Sequence, residues 1–377
     1  MVNSNFILAS EASVPERRKT LYDTWADSLG IPVHTGFYID DIRTLELGWW
    51  EERQCNAAIV KLVGQEGVTE AKVLEIPPGG TTASSMMTID EIIYVADGRG
   101  LVTLWAEGMP KKTVEWSRNS FFMIPRNYHY QLTNAQGNQA ARLLSYSYLR
   151  LLMPVAGDPD LFFKSSHVDL NFLYPDGSEQ GYYSEAKNVS DVETGDFTGR
   201  MVWSGNFFPD MQSWDKVSPQ KYRGGGTNVM FRFPNSHITS HMAVFPAKSY
   251  KKAHRHGAGF LIVIPKGTGY SLIWPEHGAE KIIIPWHEGS VFVPPHRWWH
   301  QHFNTSDEGS GRYLAFHPPR GLPGVGEALE DLVNDQIEYP DEEVVIREFF
   351  ESQLAEKELN SSMPEAAYKD KNYEFTL

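Results

Sequence analysis

Two histidine pairs at i, i+2 spacing constrain this chain more than any other feature. His254 and His256 sit in Lys251-Lys-Ala-His-Arg-His-Gly257, and His300 and His302 in Pro294-Pro-His-Arg-Trp-Trp-His-Gln-His-Phe-Asn304. On a strand, both imidazoles of a pair project from one face. Between the pairs, Gly259 to Ile264, Tyr270 to Trp274 and Gly289 to Pro294 read as strands parted by turns, with Gly267-Thr-Gly269 the clearest turn. Antiparallel strands closing into a small barrel would bring the pairs together. Three or four neutral imidazoles converging there suit a divalent transition metal.

Composition narrows the alternatives. A formal net charge of −14 argues against nucleic acid as a partner. The first residues, Met1-Val-Asn-Ser-Asn5, lack a basic n-region, and no run reaches the ~18 apolar residues of a membrane span, so the expected setting is the cytoplasm, away from membranes. Cys55 is the sole cysteine, which excludes an internal disulfide and a thiolate metal cluster. Any metal must therefore bind nitrogen and oxygen.

Along the chain, Ser13 ahead of Pro15-Glu16 predicts a helix start, with Leu21, Trp25 and Leu29 at helical spacing and Gly30-Ile-Pro32 as the stop. Residues 1–50 are expected to form a helical packing arm. Short β-type runs follow over 51–150, then an irregular connection over 151–227 ending in Arg223-Gly-Gly-Gly226, expected to be flexible. A second β-rich block over 228–320 repeats the first: Gly267-Thr-Gly269 matches Gly98-Arg-Gly100, and Asn304 matches Asn134. Residues 321–377 predict amphipathic helices, at Glu327 to Leu332 and Glu342 to Leu359.

The second block resembles the cupin superfamily, whose two motifs are G(X)5HXH(X)3–4E(X)6G and G(X)5PXG(X)2H(X)3N. His254, His256 and Gly267 fit the first, with Lys248 at the opening glycine and Phe260 at the glutamate. Gly289, Pro295, His300 and Asn304 fit the second, with Arg297 at the inner glycine. Keeping histidines without the glutamate is similar to the gentisate and hydroxynaphthoate ring-cleaving dioxygenases, although in that group the working metal is usually in the first cupin. In the first block, the same frame puts Ser85 and Met87, or Ser84 and Met86, at the first histidine pair. Glu91 is at the glutamate and Tyr130 at the last histidine, with His129 out of phase. Such a donor set suits no first-row metal.

The resemblance implies an all-β bicupin of two jelly-roll barrels, with an N-terminal helical arm and C-terminal helices. Its metal site would lie in the second barrel on His254, His256 and His300. His302 could be a fourth ligand, a hydrogen-bonding partner behind the ligands, the role favoured here, or a substrate-orienting base. His302 and His241 are the candidate catalytic side chains. Fe(II) is the metal expected first, with Zn, Mn, Ni and Cu as alternatives. The expected activity is an Fe(II) dioxygenase using O2 to cleave a C–C bond in a small aromatic or enolic substrate with adjacent oxygen groups. A non-oxidative metallo-cupin lyase or isomerase, and a ligand-binding or regulatory cupin, remain open. A homo-oligomer is expected. Phe260, Tyr270, Trp274, Trp298 and Trp299 are candidates for an aromatic wall, though Trp298 and Trp299 cannot both face the cavity. Arg255 or Arg297 could meet a substrate carboxylate, but strand alternation makes Arg255 more an ion-pairing residue.

Overall fold

Alternation along one strand sorts the whole second half of the molecule. In Trp299–Asn304, His300, His302 and Asn304 face inward, while Trp299, Gln301 and Phe303 face outward onto the C-terminal segment. The computed structural model describes residues 5–164, 184–189, 201–220, 223–234, 236–319, 322 and 334–375. It is all-β: two jelly-roll barrels with helical additions near each end.

In the first barrel, a sheet running Phe121–Ile124, Glu91–Asp97, Ala141–Ser147, Glu70–Ile76, Cys55–Leu62 is completed by the three-stranded sheet His129–Asn134, Arg99–Trp105, Lys112–Ser117. In the second, Thr227–Arg232, Thr239–Phe245, Gly311–Phe316, Leu261–Lys266 and Val291–Phe292 form one wall. Lys281–His287, Thr268–Trp274, Trp299–Asn304 and Ala253–His254 form the other. Its interior is filled by Phe245, Ile262, Ile264, Ile273, Ile284 and Trp286. The barrels meet back to back, with Phe121 stacked on Phe316 at 5.4 Å.

The same joints hold both barrels. A Cβ on Gly100 would lie 1.9 Å from the Thr133 carbonyl oxygen, and one on Gly269 would lie 1.9 Å from that of Phe303. Asn134 and Asn304 each donate Nδ2 to paired carbonyls, of Ile76 and Pro77 and of Phe245 and Pro246. At the two motif glycine positions held by other residues, the backbone is left-handed: Lys248 has φ 55° and Arg297 φ 61°.

Each barrel borrows strands from elsewhere. Phe6–Leu8 runs parallel to Lys281–His287, and Tyr38–Ile39 pairs with Val291–Phe292, so the arm completes the second barrel. Phe207–Phe208 from the connection pairs with Phe121–Ile124 of the first.

Three expectations change. The arm's helix is Leu21–Ser28, capped by Thr20 and not by Ser13: the Thr20 hydroxyl accepts the Asp23 N–H, and the Asp23 carboxylate accepts the Thr20 N–H. The glycine run is close-packed. A Cβ on Gly224 would meet the Tyr339 hydroxyl, and one on Gly226 the Val244 carbonyl, each at 2.2 Å, so these glycines serve close backbone approach. In the tail, Glu327 to Leu332 lies outside the described residues, and the later helix is Val344–Ala355. A strand not expected, Gln336–Ile337, pairs with Ala253–His254.

The helix Val344–Ala355 lays Ile346, Phe350 and Leu354 against Tyr250, Tyr270 and Phe303 behind the histidine strand. Phe350 is fully buried and meets the Tyr250 ring at 4.9 Å. Phe350→Ala is expected to cost about 3–5 kcal/mol in denaturant unfolding; a cost below about 1 kcal/mol would contradict this packing.

Candidate metal centre

His254 stands directly opposite His300 across an antiparallel bridge, on a strand only two residues long. Their rings are 4.2 Å apart between centroids. His256 lies beyond the strand end, 4.6 Å from His300 and 4.1 Å from Phe260. His302 follows two residues after His300, at 5.6 Å. The ligating nitrogens of His254, His300 and His302 all fall within 4.8 Å of one another.

Hydrogen bonds behind the rings decide which nitrogens are free. Nδ1 of His254 faces the Lys252 carbonyl at 3.1 Å, that of His256 the Gly257 carbonyl at 2.9 Å, and that of His300 the Trp298 carbonyl at 3.2 Å. A carbonyl accepts only, so each Nδ1 carries the proton and each Nε2 keeps its lone pair. Nδ1 of His302 instead meets the Ser271 hydroxyl at 2.8 Å, which can donate or accept, so either tautomer fits. Nε2 of His300 is buried with no hydrogen-bond partner among the described residues. An orphaned buried nitrogen of that kind is what a metal ion would satisfy.

Burial, reinforced by neighbouring positive or partly positive groups, keeps the cluster neutral. It pushes His256 down to about 4 and His302 to about 3, and holds His254 and His300 well below the ordinary imidazole value. Beside the cluster, Lys251 is fully buried and is pushed by burial down to about 7; its Nζ donates to Gln220 Oε1 and the Gly225 carbonyl, each at 2.6 Å. The Arg223 charge also acts on His254, His256 and His300.

His241 is not in the donor set. It lies on the inner face opposite, its Nδ1 2.6 Å from Nε2 of His317, whose Nδ1 is 3.0 Å from the Thr239 hydroxyl. Ring contacts close a circuit around one interior: His256, Phe260, His317, His241, Tyr313, His302, His300 and back. Tyr313 and His317 escaped sequence reasoning, since only the register of Thr239–Phe245 with Gly311–Phe316 places them there.

Several proposed lining residues face elsewhere. Tyr270, Trp274 and Trp299 turn to the tail side, while Trp298 packs with the interior cluster. Neither arginine is placed for a substrate carboxylate, because Asp335 holds both. Arg255 Nε is 2.9 Å and Arg297 Nη2 2.7 Å from its Oδ1, and Arg255 also stacks on Trp299. Burial alone would raise the Asp335 carboxyl, but the two guanidiniums hold it below the usual value.

In the first barrel, the bridge between Ser85 and Tyr130 matches that between His254 and His300, which selects Ser85 and Met87 as the equivalents of the first pair. The Tyr130 hydroxyl donates to Glu91 at 2.7 Å, and the Ser145 hydroxyl donates to its other oxygen. Lys72 binds Glu70 at 2.5 Å and lies 3.9 Å from Glu91. These donors occupy the carboxylate.

No protein-family model and no curated protein matches the chain. Among solved structures, it is similar to Bacillus subtilis oxalate decarboxylase. A structure addressing the substrate binding mode of an oxalate decarboxylase is 13% identical with a TM-score of 0.46, covering 76% of this chain and 78% of that one. One from a study of the Bacillus subtilis enzyme's Mn(II) centres is 12% identical with a TM-score of 0.45 and the same coverage. Its structure at pH 4.6 is 12% identical with a TM-score of 0.45, covering 76% and 77%. This likeness is one of chain path and transfers no residue role.

The lowered imidazole values set a pH window. Between about 6.5 and about 4 the unfolded chain binds more protons than the folded one, so metal-free stability rises with pH across that window and is lost on acidification. Thermal unfolding of chelator-treated protein is expected to show this slope, and His302→Gln to flatten it. An unchanged slope in that variant would contradict a neutral buried His302.

Proposed function

We propose that the chain is a metal-dependent enzyme acting on a small substrate, with a divalent first-row metal in the second barrel. The observation that carries this is the cluster of four imidazoles, three with Nδ1 fixed by carbonyls, among them His300, whose buried Nε2 has no partner among the described residues. Distance alone favours His302 beside His254 and His300. The fixed tautomer favours His256, so we place His254, His256 and His300 as ligands, with His302 as an adaptable fourth. A metal held there would supply Lewis acidity and a template for adjacent oxygen groups.

The remaining side chains favour non-oxidative chemistry, of the lyase or isomerase kind. His241 and His317 form a hydrogen-bonded imidazole pair facing the cluster, suited to holding and passing a proton. Tyr313 and Phe260 each touch one ring of that pair and one of the cluster, and Arg223 gives the surroundings positive charge that suits an anionic substrate. Mn, Zn or Ni would serve this reading.

One observation favours the Fe(II) dioxygenase as a second reading. The donor set has Phe260 in place of a carboxylate, so it leaves the charge of a metal unneutralised, as suits an anionic bidentate substrate beside O2.

His300→Ala is expected to abolish stoichiometric metal by elemental analysis. His241→Gln and His317→Gln are expected to retain metal and lose about 10²–10⁴-fold in kcat. Anaerobic turnover of small hydroxy- and keto-carboxylates by Mn-, Zn- or Ni-loaded protein would support the leading reading. Turnover needing iron and consuming oxygen would replace it with the second. Full biological function in His254→Ala and His300→Ala would instead indicate a binding protein.

A further inference from the structure

Asp335 lies far in sequence from every histidine of the cluster, yet it meets both segments that carry them. Its carboxylate accepts Arg255 Nε and Arg297 Nη2 on one oxygen and Arg297 Nη1 on the other, while its carbonyl accepts the Arg255 backbone N–H at 3.1 Å. Arg255 sits between His254 and His256, and Arg297 three residues before His300. The Arg297 backbone N–H donates in turn to the His256 carbonyl at 2.8 Å. The Asp335 side chain is 9% exposed. The next residue, Gln336, pairs with His254 along the sheet.

We infer that Asp335 is the positioning residue of the imidazole cluster, stapling the His254–His256 segment to the turn that delivers His300. The inference rests on the metal reading above. The need for a staple follows from local structure. His254 ends a two-residue strand, His256 lies beyond it, and Arg297 keeps a left-handed backbone that residues other than glycine avoid. The ladder that joins Ser249, Tyr250, Lys251 and His254 to Trp299–Asn304 ends at the His254–His300 pair, and beyond that end a bidentate guanidinium–carboxylate pair ties the two segments together.

Charge works in the same direction. Two guanidiniums flank a site proposed for a dication, and Arg297 already acts on His256. The Asp335 carboxylate offsets them, so its removal opposes metal binding by repulsion as well as by misplacement. Asp335 touches no proposed ligand side chain and is distinct from them in role.

Cobalt(II) serves as the probe, read by titration calorimetry and by its visible ligand-field bands. Relative to wild type, Asp335→Asn is expected to bind cobalt about 10–100-fold more weakly with altered bands. Arg297→Gln and Arg255→Gln, each cutting one arm, are expected to give intermediate losses. A purely structural role would lower the unfolding temperature of metal-free protein while leaving cobalt affinity and bands unchanged, and that result overturns the inference. Should Asp335→Asn fail to fold, unaltered affinity and bands in folded Arg297→Gln overturn it equally. Wild-type protein that binds no cobalt refutes the metal reading, and this inference with it.

Discussion

The pairing of His254 with His300 is the constraint on which the site depends. Side chains alternate along a strand, so a slip of one residue in Trp299–Asn304 would turn His300, His302 and Asn304 out of the barrel and bring Gln301 and Phe303 in. Register is therefore specified several times over. Asn304 locks onto two carbonyls, Gly269 admits the Phe303 backbone where no side chain fits, and Gln301 on the opposite face donates to Glu342 of the tail. Glu342 is itself pushed up to about 7 by burial, which marks how dry the outer face of this sheet is.

The parts of this arrangement that were legible in the sequence are the local ones. Period-two alternation placed His300 and His302 on one face, and the repeated turn chemistry exposed the duplicated frame. Lys248 and Arg297 could be recognised as occupying glycine positions, and both do adopt positive φ. What escaped is what only tertiary contact supplies. Ser13 and Thr20 are equally good caps in isolation, and the reciprocal bond with Asp23 distinguishes them. Three consecutive glycines look like a flexible joint until Tyr339 and the Val244 carbonyl are packed against them. Alternation marked Arg255 as an ion-pairing residue, but its partner Asp335, which also takes Arg297, is remote in sequence.

The two barrels show how one frame accommodates opposite interiors. In the second, imidazoles meet around Phe260, and at least one lone pair has no partner among the described residues. In the first, Glu91 stands where Phe260 does, and Tyr130 and Ser145 saturate it with hydrogen bonds while Lys72 balances charge. A buried carboxylate is tolerated only when so surrounded. The same backbone thus holds either a closed hydrogen-bonded network or an open donor set, according to a handful of inward positions.

The strand Phe6–Leu8 pairs in register with Lys281–Ile283, about 275 residues further along the chain. During synthesis at about 5–20 residues per second, that strand waits for roughly 15 to 55 seconds before its partner exists. Its backbone donors and acceptors must stay in water, or on a chaperone, throughout that interval. The barrel that carries the histidines is therefore closed by a strand made about 275 residues ahead of its partner.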